Sequence, residues 1–255
     1  MMTSMAGSRI SALVLMIAFG ISGFVIDDTS AASGPACAVT AEALENEPLL
    51  PKTLATLIRG GEVTIVAVGG ASTQGGAAGG GDHAWPAALA RALGRKFPNA
   101  SLKIVNRSVS RDTAELMLKR IERDVLPLKP TLVIWETGTT DAVRGTDITE
   151  FADTLERGVK RLQETNAEVL LMDMQFSRHS GFIVNLNRYL VIMRGVAEFE
   201  DIPLFPRHDI MRSWADSGVF DYFVRGRNRR RQLALDVYEC IGKAVATMIT
   251  RGPQQ

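Results

Sequence analysis

Residues 63–69 read VTIVAVG, a short apolar run that ends in glycine. A run of this length without a charge, closed by a turn-forming residue, is typical of a parallel strand buried on both faces. Comparable apolar runs follow at residues 102–105, 132–136, 169–174 and 202–205. The sequence therefore predicts five buried strands.

Segments with apolar residues at helical spacing lie between and after these runs. A strand and a helix alternate five times, which is typical of a doubly wound parallel sheet. We therefore predict an α/β fold, a three-layer α/β/α sandwich with a central five-stranded parallel sheet. The predicted helices cover residues 85–97, 112–126, 148–164, 186–198 and 231–249.

The composition excludes several classes of protein. Apolar residues make up 46% of the 255 residues and charged residues 22%, so a disordered or collagen-like chain is excluded. The formal charge of +1 gives no overall positive field that would attract nucleic acid, and we expect no nucleic-acid partner. Three histidines and two cysteines lie far apart, so we expect no metal site. Residues 75–81 lack both the P-loop ending and the dinucleotide fingerprint, and we expect no cofactor.

Residues 1–36 have the pattern of a secretory signal peptide. Arg9 precedes an apolar stretch at residues 10–26, and small residues follow at 30–32. The stretch of about 17 residues is near the lower limit for crossing a bilayer, so an uncleaved N-terminal anchor is the alternative. We predict an exported, periplasmic protein with a single domain at residues 37–255. Membrane contact is expected only through the N-terminal segment, if it is uncleaved.

Cys37 and Cys240 are the only cysteines of the chain. In an oxidising compartment they would form a disulfide that closes a loop of about 200 residues. Two buried free thiols are the alternative.

The segments that follow the predicted strands are the places to look for a ligand site. In an open α/β sheet, ligands bind outside the carboxyl ends of the strands. Together these segments resemble the SGNH (GDSL-type) hydrolases, esterases and lipases with a flavodoxin-like fold. The stretches that carry the resemblance are VAVGGASTQGG at 66–76, VNRSVSRDTAE at 105–115, VIWETGTTDA at 133–142 and LFPRHDIMRSW at 204–214.

The resemblance implies a serine nucleophile just after the first strand and a histidine base three residues after an aspartate near the C-terminus. A hydroxyl is a weak nucleophile unless a base in reach takes its proton. The resemblance also implies that the serine N–H, a glycine N–H and an asparagine side chain stabilise the oxyanion.

This chain departs from the family pattern at each of these positions. The register that fits Thr73 and Gly75 places Ala71 at the nucleophile position, whereas a one-residue shift would make Ser72 the nucleophile. The sequence therefore resembles a divergent member that lacks the catalytic residues. The other positions hold Ser108 for the glycine, Thr140 for the asparagine, Arg229 for the aspartate and Gln232 for the histidine.

None of the three histidines of the chain occupies the position that the family pattern gives to the base. His83 lies in the glycine-rich segment, and His179 and His208 follow the fourth and fifth predicted strands. An active ester hydrolase would need Ser72 as the nucleophile and His179 or His208 as a relocated base. Whether the chain is an enzyme is therefore open at this point.

Five arginines stand at 225, 227, 229, 230 and 231, in what we expect to be a loop beside the crevice. Guanidinium groups bind carboxylates, phosphates and sulfates in bidentate fashion, although a solvated basic turn is the alternative.

The sequence thus favours an inactive SGNH-fold protein that binds a glycan or an anionic acyl-bearing ligand in the old active-site crevice. The ligand class is an analogy from the fold. An active acyl or acetyl esterase and a structural or partner-binding subunit are the alternatives. The candidate ligand-binding residues are Ser72, Ser108, Thr140, Arg227, Arg229 and Arg230.

Overall fold

The structure, a computed structural model, describes residues 1–2, 37, 39, 42–45, 47–177 and 186–252. Gly34–Gln255 forms one compact unit. The predicted signal peptide or anchor at residues 1–36 lies almost wholly outside the described residues. In the part that is described, the structure contains no helix with the length and apolar character that a bilayer span requires.

A central sheet of five parallel strands organises the compact unit, in the order β2-β1-β3-β4-β5. This sheet confirms the predicted fold class. β1 lies second in the order and pairs with β2 on one side and β3 on the other. The strands are β1 Glu62–Val68, β2 Ser101–Asn106, β3 Leu132–Glu136, β4 Glu168–Met172 and β5 Leu204–Phe205.

Helices cover both faces of the sheet. Their amphipathic faces bury apolar side chains against the strands. Ten α-helices lie within the described residues, and short 3₁₀ segments interrupt the connections at Gly76–Ala78, Gly81–His83 and Leu126–Leu128. The helices are α1 Glu42–Glu45, α2 Pro51–Ile58, α3 Ala71–Gln74, α4 Trp85–Lys96, α5 Ala114–Asp124, α6 Thr139–Arg144, α7 Ile148–Gln163, α8 Leu186–Phe199, α9 Arg207–Asp216 and α10 Arg227–Ile249.

Two hydrophobic cores lie on opposite faces of the sheet because successive side chains of a strand point to opposite sides. Ile65 and Ile134 belong to the core that α4 and α10 cover. Val66 and Trp135 belong to the core that α5, α7 and α8 cover. Burial on both faces explains why β1, β3 and β4 are almost continuously apolar. The expectation of five buried strands is wrong for β2, which lies at the edge of the sheet and has only exposed and half-buried residues.

The last helix packs closely on α4 and is tied to the start of the domain. A Cβ at Gly242 would lie 2.5 Å from Cβ of Ala88, so only glycine allows this approach. Cys240, on the same helix, forms a disulfide with Cys37, with 5.0 Å between the two Cα atoms. The predicted disulfide is therefore confirmed.

The structure corrects two expectations for the C-terminal third of the chain. The last helix begins at Arg227 instead of residue 231, because Gly226, with φ of +90°, ends the preceding loop. Arg227, Arg229 and Arg230 are therefore helical and do not belong to a loop. The segment after β5, read as a connection, contains α9, whose buried residues Ile210, Met211 and Trp214 follow helical spacing.

Candidate functional site

A small cavity opens at the carboxyl ends of β1, β2 and β3, where an open α/β sheet places its ligand site. Its volume is about 120 Å³. The connections after three strands converge on it, together with one residue after β4. The lining residues are Gly70, Ala71, Ser72, Ser110, Arg111, Asp112, Met117, Glu136, Thr137, Gly138, Thr139, Thr140 and Gln175.

A buried ion pair joins two elements at this edge of the sheet. Glu136 is the last residue of β3 and Arg207 the first residue of α9, and their exposed fractions are 3% and 2%. Arg207 Nη2 donates to Glu136 Oε1 at 3.1 Å. The other carboxylate oxygen of Glu136 accepts hydrogen bonds from the Gly70 N–H and the Thr73 hydroxyl, each at 2.8 Å. The pair therefore holds the segment after β1 against β3 and α9.

Further hydrogen bonds fix the same segment to β2. The hydroxyl of Thr73 also accepts a hydrogen bond from Trp85 Nε1 at 3.0 Å. Asn106, the last residue of β2, donates from Nδ2 to the Thr73 carbonyl at 2.6 Å. Gly75 ends α3 with φ of +84°, and a Cβ there would lie 2.3 Å from the Gly80 carbonyl oxygen. These contacts determine the course of the chain from Gly70 to Gly75.

Ala71 and Ser72, the two candidates for the nucleophile position, have different surroundings. Both line the cavity, but Ala71 is exposed and Ser72 is buried. The hydroxyl oxygen of Ser72 accepts a hydrogen bond from Arg207 Nη1 at 2.9 Å. An arginine only donates hydrogen bonds and stays protonated in proteins, so Arg207 cannot take a proton from Ser72.

The two residues at the expected oxyanion positions also differ from each other. Thr140 lies in the cavity wall at the start of α6. Ser108 is half-buried, and its N–H donates to Asn106 Oδ1 at 3.0 Å. The Ser108 hydroxyl donates to the same oxygen at 2.5 Å. The N–H that the resemblance assigns to the oxyanion is thus engaged by an amide side chain.

Among the described residues, no histidine is hydrogen-bonded to the Ser72 hydroxyl, whose partner is Arg207. His208 is the second residue of α9, and its Nδ1 lies 3.2 Å from Asp209 Oδ1. Its ring packs edge-on against Phe176, with 5.5 Å between the centroids. His83 is exposed on a 3₁₀ segment, and His179 lies outside the described residues.

Asp173, just after β4, is a second buried carboxyl group near this edge of the sheet. Its exposed fraction is 1%, and its Oδ1 accepts a hydrogen bond from the His208 N–H at 2.8 Å. Burial raises the pKa of Asp173 to about 7, against the opposing effects of that hydrogen bond and of the positive charge of Arg207. The residue therefore titrates near neutral pH.

The arginines of residues 225–231 lie at a different place. Arg227, Arg230 and Arg231 line a groove of about 690 Å³ beside Gly76, Ala77 and Gly79. The groove and the cavity have no lining residue in common. These arginines and Ser72 therefore do not line one crevice, and a ligand-binding role for Arg227 and Arg230 stays a prediction.

The two residues at the expected Asp and His positions are on the outer surface of α10. Arg229 is exposed and lines neither the groove nor the cavity. Gln232 is exposed, and its Nε2 donates to Asp236 Oδ1 at 2.9 Å. Neither side chain meets Ser72 in the described structure.

Comparison with known proteins identifies the family. The sequence model of the Non-GDSL lipase-like family matches residues 36–255. The chain belongs to this family. A curated relative is thioesterase 1/protease 1/lysophospholipase L1 of Escherichia coli strain K12, which is 30% identical over 123 residues. That match covers 48% of this chain and 56% of the relative, so the chain spans about half the length of that protein.

Solved structures confirm the SGNH hydrolase fold of this Non-GDSL lipase-like protein. The crystal structure of TesA has a TM-score of 0.54 at 22% identity, covering 69% of this chain and 97% of that one. A two-domain esterase active on acetylated mannans, co-crystallised with mannopentaose, has a TM-score of 0.64 at 19% identity. That comparison covers 86% of this chain and 60% of the esterase. Together with the family match, these structures show that a member of a lipase-like family has the SGNH hydrolase fold.

Sequence reasoning did not find the residues that organise the cavity. Glu136 gave one signal, since it is the charged end of an otherwise apolar strand. Asp173 gave a similar signal, since it lies inside the apolar run at residues 169–174, whereas Arg207 gave none, because an arginine after a strand is ordinary in an exposed loop. Their burial depends on how α9 packs across the ends of β3 and β4.

Proposed function

We propose that this SGNH-type protein binds an acylated carbohydrate at the cavity and does not hydrolyse it. The observation that carries the proposal is the pair Ala71 and Ser72. In the register that fits the family, the nucleophile position holds a methyl group at the cavity wall. The neighbouring hydroxyl of Ser72 is held by Arg207 Nη1 at 2.9 Å. A hydroxyl without a base in reach is a poor nucleophile.

The surroundings of Ser72 support an inactive site. Activation of a serine requires a base within hydrogen-bond distance of its proton. The positive charge of Arg207 would stabilise a serine alkoxide, but it supplies no group that accepts the proton. The ring of His208 contacts Asp209 and Phe176. The proposal therefore assigns the cavity to binding.

The polar wall of the cavity supports a ligand with several oxygen atoms. Ser110, Thr140 and Gln175, whose side chains carry hydroxyl and amide groups, are among its lining residues. Relatives of similar fold include an esterase active on acetylated mannans and an acetyl xylan esterase. An acylated carbohydrate is the ligand class that fits both observations, and its transfer to this chain is an analogy from the fold.

We further propose that the protein is exported to the periplasm, either with its leader at residues 1–36 removed or with that segment kept as an anchor. The disulfide between Cys37 and Cys240 supports this compartment. Disulfides persist in oxidising compartments and are rare in the cytosol.

Calorimetric titration with an acetylated mannooligosaccharide tests the binding part of the proposal. We expect saturable binding to wild-type protein and weaker binding to Thr140→Val, a variant of similar volume at the cavity wall. Arg229→Ala is the matched control, since Arg229 is exposed and lies outside the cavity lining. Absence of binding by acetylated mannan and xylan oligosaccharides would contradict the proposal.

An ester hydrolase that uses Ser72 is the second candidate. Membership of a lipase-like family and the position of Ser72 in the cavity wall favour it. This enzyme would need His208 or His179 to reach Ser72 as its base. It predicts turnover of a short acyl ester that the Ser72→Ala variant loses.

A further inference from the structure

The groove beside α10 is large enough to enclose a whole small molecule. Its volume of about 690 Å³ lies within the range of about 300–1,000 Å³ that is common for small-molecule sites. One wall is the glycine-rich segment after α3, with Gly76, Ala77 and Gly79, and the other is the first turn of α10. Because the groove and the cavity share no lining residue, a ligand of the groove would be a separate one.

Three arginines give this groove its charge. Arg227, Arg230 and Arg231 line it and stand at positions i, i+3 and i+4 of α10. Residues with this spacing are neighbours on one helix face, with about 5–6 Å between their Cβ atoms. Arg229 stands in the same turn but does not line the groove. The groove therefore collects three guanidinium groups from one face of the helix.

The charges of these three arginines are not balanced within the described part of the chain, where none of the three forms an ion pair. Other exposed arginines do have partners, such as Arg91 with Glu239 and Arg161 with Glu122. The three charges also stand at the start of α10, where positive charge opposes the helix dipole. Neither ion pairing nor the stability of the helix therefore explains this cluster, whereas an anionic ligand does.

The opposite wall of the groove holds one of the three side chains in place. Arg231 Nε donates to the Ala78 carbonyl oxygen at 3.2 Å. Gly79 has φ of +100°, and an added Cβ there would lie 3.1 Å from Arg231 Nη2. Glycine at this position therefore allows the guanidinium group to pack closely against the backbone. A side chain that is already fixed loses less conformational entropy when a ligand binds.

We infer that this groove binds the phosphoryl group of a phosphate monoester. Such a group carries a charge of about −1.5 to −2 at pH 7 and three acceptor oxygens, whereas a carboxylate carries one charge and two oxygens. Guanidinium groups bind phosphate oxygens in bidentate fashion. Three guanidinium groups around one groove therefore match a phosphoryl group better than a single carboxylate. The inference is independent of the proposed function, because it concerns a different set of residues.

Titration calorimetry of the full chain with glucose 6-phosphate, glucuronate and glucose tests the kind of anion. These sugars share one ring and carry a phosphate, a carboxylate and a hydroxyl at the same carbon. We expect glucose 6-phosphate to bind at least about tenfold more tightly than glucuronate, because it forms more charge-assisted hydrogen bonds. Glucose should not bind. If glucuronate or glucose binds as tightly as glucose 6-phosphate, the inference is overturned.

Substitutions of single arginines test the place of binding. Arg230→Ala should weaken binding of glucose 6-phosphate at least about tenfold. Arg230→Lys, which keeps the charge and loses the fork of donors, should weaken it about threefold. These side chains are exposed, so we expect the variants to fold, and circular dichroism checks this.

Arg229→Ala is the matched control, since it removes an equal charge from the same turn outside the groove lining. At about 0.15 M salt, where exposed charges are screened beyond about 8 Å, its affinity should stay within about twofold of the wild-type value. Equal weakening by Arg229→Ala and Arg230→Ala would mean that overall charge attracts the phosphate, and it would overturn the inference.

Lipid vesicles distinguish a lipid headgroup from a soluble phosphate ester. Vesicles of phosphatidylcholine with phosphatidic acid present a phosphate monoester at a surface, and vesicles of phosphatidylcholine alone are the control. Sedimentation that requires phosphatidic acid and is lost in Arg230→Ala, but kept in Arg229→Ala, would assign the phosphoryl group to a lipid. Binding of glucose 6-phosphate without such sedimentation would assign it to a soluble ester. If neither probe binds wild-type protein, the inference fails, whatever the result for acetylated mannooligosaccharides.

Discussion

Arg207 and the arginines of residues 225–231 carry the same charge in opposite settings. Arg207 is buried, and its guanidinium bonds Ser72 and Glu136. The five arginines of the other segment are exposed, and in the part of the chain described here none lies within 4.0 Å of a carboxylate oxygen. Fixed partners therefore organise this site, whereas the local number of charges does not.

The buried pair of Glu136 and Arg207 contributes more to the positioning of neighbouring residues than to net stability. Two charges lose their hydration when they are buried, and their attraction often repays only that loss. Here the carboxylate of Glu136 also holds the Gly70 N–H and the Thr73 hydroxyl. We therefore interpret the pair as the element that fixes the segment carrying Ala71 and Ser72.

The largest effect is expected for Arg207→Met. The substitution leaves the buried carboxylate of Glu136 without its cation, which costs about 3–5 kcal/mol. Urea unfolding measures the free energy, and Arg212→Met on the same helix is the control because Arg212 is exposed. A change below about 1 kcal/mol for Arg207→Met would contradict the distinction between the two kinds of arginine.

The second-largest effect on stability is expected for Asp173. Its Oδ1 accepts a hydrogen bond from the N–H of His208, the residue after Arg207. Its folded pKa of about 7 lies above the ordinary value of 3.8. Between these values the folded state holds a proton that the unfolded state has lost, so stability falls as pH rises from about 4 to 7. The loss should be on the order of a few kcal/mol.

Asp173→Asn checks the pH dependence, since an amide resembles the protonated carboxyl group. Urea unfolding at several pH values should show the decline from pH 4 to 7 in wild-type protein and a flatter profile in the variant. Identical profiles for the two proteins would show that Asp173 does not carry the effect.

A smaller effect is expected for Ser72→Ala, which removes one partner of Arg207. The buried Nη1 group then lacks its acceptor, at a cost of about 1–3 kcal/mol. Ser110→Ala, at an exposed cavity residue, should change the free energy of unfolding by less than about 0.5 kcal/mol. Equal effects of the two substitutions would mean that the Ser72 hydroxyl makes no net contribution.

The smallest effect is expected for Arg229→Glu. α10 has no acidic residue in its first turn and no side-chain cap. A carboxylate there interacts favourably with the helix dipole, so the substitution should raise stability by about 0.3–1 kcal/mol at low salt. Thermal unfolding at low and high salt measures this, because salt screens the interaction. A loss of stability would show that the Arg229 side chain makes a stabilising contact in the wild-type protein.

The sheet was predictable from the sequence because buried parallel strands leave continuous apolar runs. The bounds of β3, Leu132–Glu136, agree with the prediction to the residue. α9 was missed, since its ten residues follow a proline and carry four charged side chains that favour a loop interpretation. Helix bounds depend on caps, and the positive φ of Gly226 at the start of α10 was not evident from its neighbours.

The site was less predictable than the fold. The sequence identified Ala71, Ser72 and Thr140, which line the cavity, from the order of motifs after strands. It did not identify Glu136 or Arg207, because their contact joins residues 71 positions apart. Such a contact follows from packing of α9 against β3, and no local pattern encodes it.

Binding without hydrolysis is tested by following acetate release from an acetylated mannooligosaccharide bound to wild-type protein with proton NMR. We expect calorimetry to detect binding while acetate appears no faster than in buffer. Repeated turnover by the wild-type protein, lost in the Ser72→Ala variant, would contradict it and make the chain a working esterase.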